Sequence, residues 1–207
     1  ISKDMKDILQ KGLYYSRLSK GSFDITIDPV SSLWDFSSGK GTVPDAAEIE
    51  KALSYVDYKK VKLKKNLLTL ERSGMELDLG GIAKGYTSAR VMEIFREYGI
   101  TSGMVSLGGN VQTLNTRPDG KPWQIGIQNP NGQQGSLLAV LSVENKAVIT
   151  SGGYERYFEE DGNTYIHILN PKTGYPADSG LVSVSVISEN GMLADALSTS
   201  LYLMGEE

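Results

Sequence analysis

The 207-residue chain carries 25 acidic against 21 basic residues, a net charge of −4, which lacks the basic excess that a nucleic-acid module uses to neutralise a phosphate backbone. Its 40% hydrophobic and 22% charged residues are those of a globular protein with a proper core, and global disorder is excluded. With no cysteine, disulfides, zinc thiolates, iron–sulfur ligation and thiol nucleophiles are also removed, leaving carboxylate, hydroxyl, lysine and histidine chemistry.

The chain opens on Ile1-Ser2-Lys3-Asp4, without an initiator Met or the basic and apolar regions of a signal peptide, so a processed chain or a fragment is expected. No run of 18 apolar residues is present. Met5, Ile8, Leu9, Leu13 and Tyr14 fall near helical spacing and predict an amphipathic helix over 3–18, closed by or shortly before Gly21. The alternation Phe23-Asp24-Ile25-Thr26-Ile27-Asp28 predicts a strand that Pro29 breaks, and 31–44 reads as loop. Pro44-Asp45 ahead of Ala46, Ile49, Ala52 and Leu53 predicts a short capped helix, followed by a hairpin of 61–63 with 67–70 across Lys64-Lys65-Asn66.

Residues 75–79 read as a strand running into the pair Gly80-Gly81, after which 82–98 carries apolar residues at helical intervals. Strands are expected at 103–107, 123–128, 137–143, 146–150, 164–169 and 181–187, with a last helix over 193–204. Runs of strands interrupted by two long helices point to an α+β fold, and without repeats or low-complexity linkers the chain is expected to form one domain over 1–207.

Three stretches could carry chemistry. In Asp78-Leu79-Gly80-Gly81-Ile82-Ala83-Lys84-Gly85, a glycine pair ahead of a helix allows close backbone approach to an anionic ligand, with Lys84 adding a point charge. An ordinary glycine turn with a solvated lysine fits the same residues. Asp195 and Thr199 are four apart, so on a helix both oxygens share a face and could hold a hard cation such as Mg²⁺; an Asp near a helix start with a solvated Thr fits equally. The sole histidine, His167, precedes Asn170-Pro171 and Thr173-Gly174, which fix a tight turn where a rigid scaffold presents functional groups, although a hydrogen-bonded structural histidine suits a strand end too. Gly108-Gly109-Asn110 reads as a strand-ending turn open to a ligand, and Tyr154, Tyr157 and Phe158 read as core aromatics.

Taken in order, Gly21 to Asp24 through Leu33-Trp34, Asp78 to Tyr86, Ser106 to Asn110, Ser151 to Tyr157, His167 to Pro176 and Ala194 to Thr199 resemble the motifs of the ApbE-type FAD:protein FMN transferases, formerly labelled thiamine-biosynthesis lipoproteins. The resemblance covers nearly the whole chain. It implies an α+β fold of two T-fold-like halves with mixed or antiparallel sheets and packed helices, FAD as substrate, and Mg²⁺ as cofactor. It further implies that Ser22, Phe23, Asp24, Asp78, Lys84 and Leu169 contact FAD, and that the Gly81 carbonyl with the Asp195 and Thr199 side chains holds Mg²⁺. His167 matches the family's histidine beside the flavin pyrophosphate; His167 and Asp24 are the candidate bases.

The implied reaction moves the FMN part of FAD onto a Thr or Ser hydroxyl of an acceptor protein and releases AMP. An Mg²⁺-dependent FAD pyrophosphatase, or a flavin-binding module without turnover, fits the same motifs. The family's acceptors are membrane-associated or exported redox proteins, which implies an extracytoplasmic location, periplasmic or lipoprotein-anchored. Two departures stand out. Relatives carry a further N-terminal segment with flavin contacts and usually a signal or lipobox, so truncation at both ends is expected; and position 198 is Ser where some relatives carry a second acidic residue.

Overall fold

A computed structural model describes residues 1–36, 38, 40–133 and 135–206. In chain order its helices are α1 (Lys3–Leu18), α2 (Asp28–Trp34), α3 (Ala46–Leu53), α4 (Gly80–Glu97) and α5 (Gly191–Met204). Its strands are β1 (Val61–Lys64), β2 (Leu67–Leu70), β3 (Gly103–Leu107), β4 (Asn110–Leu114), β5 (Trp123–Gln128), β6 (Leu137–Val143), β7 (Ala147–Gly152), β8 (Tyr157–Glu160), β9 (Asn163–Ile166) and β10 (Ser183–Ser188). The fold is α+β, and its contacts divide it into two compact units.

The first unit comprises 1–79, 153–181 and 199–207. Ser2 caps α1 by accepting from the Met5 N–H, and α3 begins with a capping box of Asp45 and Glu48. The core of this unit gathers Val30, Trp34, Ile49, Ala52 and Leu169, with Phe36, Phe158 and Tyr165 packed around the Trp34 ring. Tyr157, expected in that core, is instead exposed at the start of β8, because strand alternation turns only Phe158 inward.

Two expected strands are not formed. Over 23–29 the Asp24 carboxylate accepts from the Thr26 N–H at 2.8 Å, and this local bond turns the chain where alternation alone predicts extension. Pro29 then acts as a helix starter at the beginning of α2 rather than as a breaker, since its missing N–H falls where a helix has no acceptor for it. Residues 75–79 stay irregular, and a ladder-like bond from Asp78 N–H to Ile25 C=O at 2.9 Å is among those that hold them. The hairpin β1–β2 forms as expected, with Lys65 at φ 52° in its turn.

The second unit comprises 80–152 and 182–198. Its sheet has the order β10-β7-β4-β3, antiparallel throughout, and α4 packs on β3 and β4. Ala194 of α5 lies against Ala147 and Ile149 of β7. The hairpin β5–β6 packs Ile125, Ile127 and Val143 onto Val148. The glycine pair 108–109, both at positive φ, closes β3 onto β4, so Asn110 opens a strand that the sequence pattern did not predict. Strand β8 is a second unpredicted element, and the expected strand at 164–169 shortens to β9 plus a single bridge between Leu169 and Pro176.

Candidate functional site

In the second unit the sequence brings two helices together through glycine. Gly85 lies inside α4, where glycine costs about 1 kcal/mol relative to alanine. A Cβ there would sit 2.6 Å from Asp195 Cβ and would collide with the Gly191 carbonyl, so only glycine admits this approach of α4 to α5. The approach lets the Gly85 N–H donate to Asp195 Oδ2 at 2.7 Å, across 110 residues of sequence. In a regular helix that N–H goes to the carbonyl four residues back, which is Gly81. With the donor engaged by Asp195, at most a shared bond returns to Gly81, and its oxygen keeps acceptor capacity in the first turn of α4.

Asp195 is only 3% exposed, and among the described residues it has no ion-pair partner within 4.0 Å. Burial pushes its carboxyl above the ordinary range; the Gly85 N–H, the Asn110 side chain and the charge of exposed Lys84 pull it back without cancelling the rise. A carboxylate placed this way gains from a cation, because an unpaired buried charge is unfavourable until a counter-charge or a proton meets it. Thr199 follows one turn later on α5. In the second unit the carboxylate and the Gly81 carbonyl are oxygen donors of the kind a hard cation takes, though among the described residues no three His, Cys, Asp or Glu side chains cluster as a metal cage. Ser198, at the departing position, is fully buried and bonded to Ser151 Oγ at 2.8 Å and to the Asp195 carbonyl at 2.9 Å.

In the first unit, His167 sits half-buried just after β9. Its backbone N–H donates to the Arg156 carbonyl at 3.0 Å, and its ring Nδ1 is also 3.0 Å from that oxygen. A carbonyl can only accept, so Nδ1 carries a proton, and in the neutral form of the ring the lone pair lies on Nε2. The turn beyond is fixed by Asn170, whose carbonyl accepts from Gly174 N–H at 2.8 Å and whose side chain accepts from Lys172 N–H at 2.9 Å. Trp34 Nε1 donates to the Gly174 carbonyl at 2.9 Å, which ties the turn to the aromatic core.

Asp24 is buried but well supplied with donors. Oδ1 accepts from Thr26 N–H at 2.8 Å and Thr26 Oγ1 at 2.7 Å, and Oδ2 accepts from Tyr58 N–H at 3.1 Å. Burial raises its pKa, the Thr26 and Tyr58 bonds oppose the rise, and the Asp57 charge adds to it. Ser22 is half-buried in the turn after α1, and Phe23 is buried with its N–H on Ser19 Oγ at 2.9 Å. Asp78 is half-buried, while the Leu169 side chain belongs to the core. Phe23 and Leu169 thus offer backbone rather than side-chain surface.

The groups therefore fall into two sets. Ser22, Phe23, Asp24, Asp78, His167, Leu169 and Thr199 belong to the first unit; Gly81, Lys84 and Asp195 belong to the second. Sequence reasoning named Gly85 and Asn110 only within stretches open to a ligand, without a role of their own, and did not single out Gly191. A glycine in the middle of a helix was the available signal for the first.

The model of the ApbE family matches residues 1–207. The chain belongs to the ApbE family. A protein of Klebsiella pneumoniae named FAD:protein FMN transferase is 37% identical over the whole of this chain, which covers 64% of that protein. A Treponema pallidum protein of the same name is 32% identical, with 61% covered. The crystal structure of the ApbE protein of Thermotoga maritima superimposes with a TM-score of 0.92 at 36% identity, over 100% of this chain and 68% of that one. The flavin transferase ApbE of Vibrio cholerae gives 0.89 at 30% identity, over 100% and 66%. The chain spans a little under two thirds of the curated relatives' length.

Proposed function

We propose that this chain carries out Mg²⁺-dependent transfer of the FMN moiety of FAD to a Thr or Ser hydroxyl of an acceptor protein, with release of AMP. The observation that carries the reading is the buried Asp195 carboxylate, held at one oxygen by Gly85 N–H and without an ion-pair partner among the described residues, in a chain whose relatives are named FAD:protein FMN transferases. Gly81 C=O, Asp195 and Thr199 would hold the cation, whose chemistry is to offset charge on the pyrophosphate. Lys84 adds a positive charge for the same phosphates. Ser22, Phe23, Asp24, Asp78 and Leu169 are the proposed FAD contacts, those of Phe23 and Leu169 through the backbone.

In the transfer, the acceptor hydroxyl oxygen attacks the FMN-side phosphorus, the bond from that phosphorus to the bridging oxygen breaks, and AMP leaves with that oxygen. The hydroxyl proton passes to a base. His167 is suited to this, because its Nδ1–H is committed to the Arg156 carbonyl and its lone pair lies on Nε2. Asp24 is the weaker candidate, since its carboxylate is already committed to three donors. The acceptor is proposed to be a membrane-associated or exported redox protein, and the reaction extracytoplasmic, at a lipoprotein-anchored or periplasmic protein. Among the described residues no helix is long and apolar enough to cross a membrane.

Incubation with FAD, Mg²⁺ and an acceptor peptide tests the reading. Flavinylated peptide and AMP are expected; free FMN with AMP would identify a pyrophosphatase, and intact FAD a binding module. His167→Asn should lower the transfer rate by about 10²-fold or more and remove the rising limb of its pH profile while FAD still binds.

A further inference from the structure

Asn110 opens β4 directly after the Gly108-Gly109 turn and is 1% exposed. Its Nδ2 is buried and, among the described residues, has no hydrogen-bond partner of good geometry. Gln112, two residues on and therefore on the same face of the strand, has its Oε1 within 3.0 Å of Ser88 Oγ from α4. Ser88 Oγ also lies 3.1 Å from the Gly85 carbonyl, and a Cβ on Gly191 would meet both Gln112 and Ser88. This face of β4 thus sends two buried amides to the crossing of α4 and α5. One is bonded there and the other is left short.

An unmet buried donor costs about 1–3 kcal/mol, and an apolar residue of the same size would avoid that cost. The neighbour of the Asn110 amide is the Asp195 carboxylate, whose Oδ2 already has the Gly85 N–H. A donor-only nitrogen cannot bind a cation, but it can hold the carboxylate that does. Ligands in metal sites are oriented in this manner by outer hydrogen bonds.

We propose that Asn110 is a positioning residue: its amide donates to the Asp195 carboxylate when that carboxylate binds its cation, and so fixes the oxygen that faces the ion. The proposal rests on the cation reading of Asp195. It assigns to the start of β4 a part in metal binding that Gly81, Asp195 and Thr199 do not themselves supply.

The test is Mn²⁺ binding to the full chain without FAD, followed by the free-ion electron paramagnetic resonance signal. Wild type should bind and Asp195→Ala should not; failure of either overturns the cation reading and this proposal with it. Asn110→Leu should bind about 10- to 100-fold more weakly, with a melting temperature in chelator equal to or above that of wild type. If that variant does not fold, Asn110→Ala is read in its place, with the same loss of affinity expected. Thr113→Val, which removes a different buried β4 side-chain bond, from Thr113 Oγ1 to the Lys146 carbonyl at 3.1 Å, should bind like wild type. Unchanged Mn²⁺ affinity in the Asn110 variants overturns the proposal and leaves the cation reading standing. An equal loss in Thr113→Val also overturns it, because the effect would then be general loosening of the strand.

Discussion

Asp24 and Asp195 are both buried carboxylates, one in each compact unit, and burial raises the pKa of both. They differ in what meets the charge. Asp24 has three donors of good geometry from Thr26 and Tyr58, all from nearby backbone and one hydroxyl, and it clamps the loop between α1 and α2 to the chain ahead of β1. Asp195 has one such donor, a short-falling amide beside it and a lysine charge at a distance. The donors around Asp24 give that carboxylate a part in holding the fold beside its proposed contact with FAD; on the proposed reading, Asp195, left short of donors, is the one that takes a cation. That difference separates two aspartates that look alike in sequence.

The largest expected effect falls on the satisfied member. Asp24→Ala removes three bonds to a charged acceptor and leaves the Thr26 and Tyr58 donors facing a gap, so unfolding free energy should drop by about 3 kcal/mol in a denaturant titration. Activity per folded molecule should change much less than for His167→Asn. A stable Asp24→Ala chain with no turnover would reverse the roles assigned to the two aspartates.

Gly85→Ala tests the other side. The added methyl meets Asp195 Cβ and the Gly191 backbone, neither of which can move independently of its helix. A loss of about 1–3 kcal/mol is expected from overpacking, together with weaker Mg²⁺ response because the Gly85 N–H no longer reaches Asp195. Lys84→Met should leave the melting temperature within about 1 °C and weaken FAD binding by about tenfold, or ~1.4 kcal/mol, by fluorescence titration. A large stability loss with unchanged affinity would make Lys84 a structural residue.

The smallest effect is on pH dependence. Because the folded pKa of Asp24 lies above its ordinary 3.8, the folded state holds that proton more tightly than the unfolded chain does. Its contribution to stability is full below about 3.8 and is lost as pH rises through the raised folded value. Asp24→Asn, which cannot ionise, should flatten that part of the stability curve. An unaltered curve would show that the clamp is equally strong in both protonation states.

Much of this contrast lies outside what a linear reading can reach. The long helices, the β1–β2 hairpin and most strands follow from apolar spacing and turn residues, and Asp195 with Thr199 on one helix face follows from their four-residue separation. Asp24 misled because alternation over 23–28 is a strand signal, while the competing bond from its own side chain to Thr26 N–H decides the local conformation. The Gly85–Asp195 bond joins residues 110 apart, and Asn110 lies on a strand set by a glycine turn, so neither relation leaves a local trace. The family resemblance supplied roles for Gly81 and His167. Only the bond from Gly85 N–H to Asp195, between α4 and α5, gives the Gly81 carbonyl its acceptor capacity.

The most direct measurement is the melting temperature of wild type, Asp24→Asn and Asp195→Asn, each in chelator and in excess Mg²⁺. Mg²⁺ should raise the melting temperature of wild type and of Asp24→Asn but leave Asp195→Asn unmoved, and in chelator Asp195→Asn should melt no lower than wild type while Asp24→Asn melts clearly lower. Mg²⁺ stabilisation that survives in Asp195→Asn, or a loss of stability in chelator as large as that of Asp24→Asn, would contradict the account.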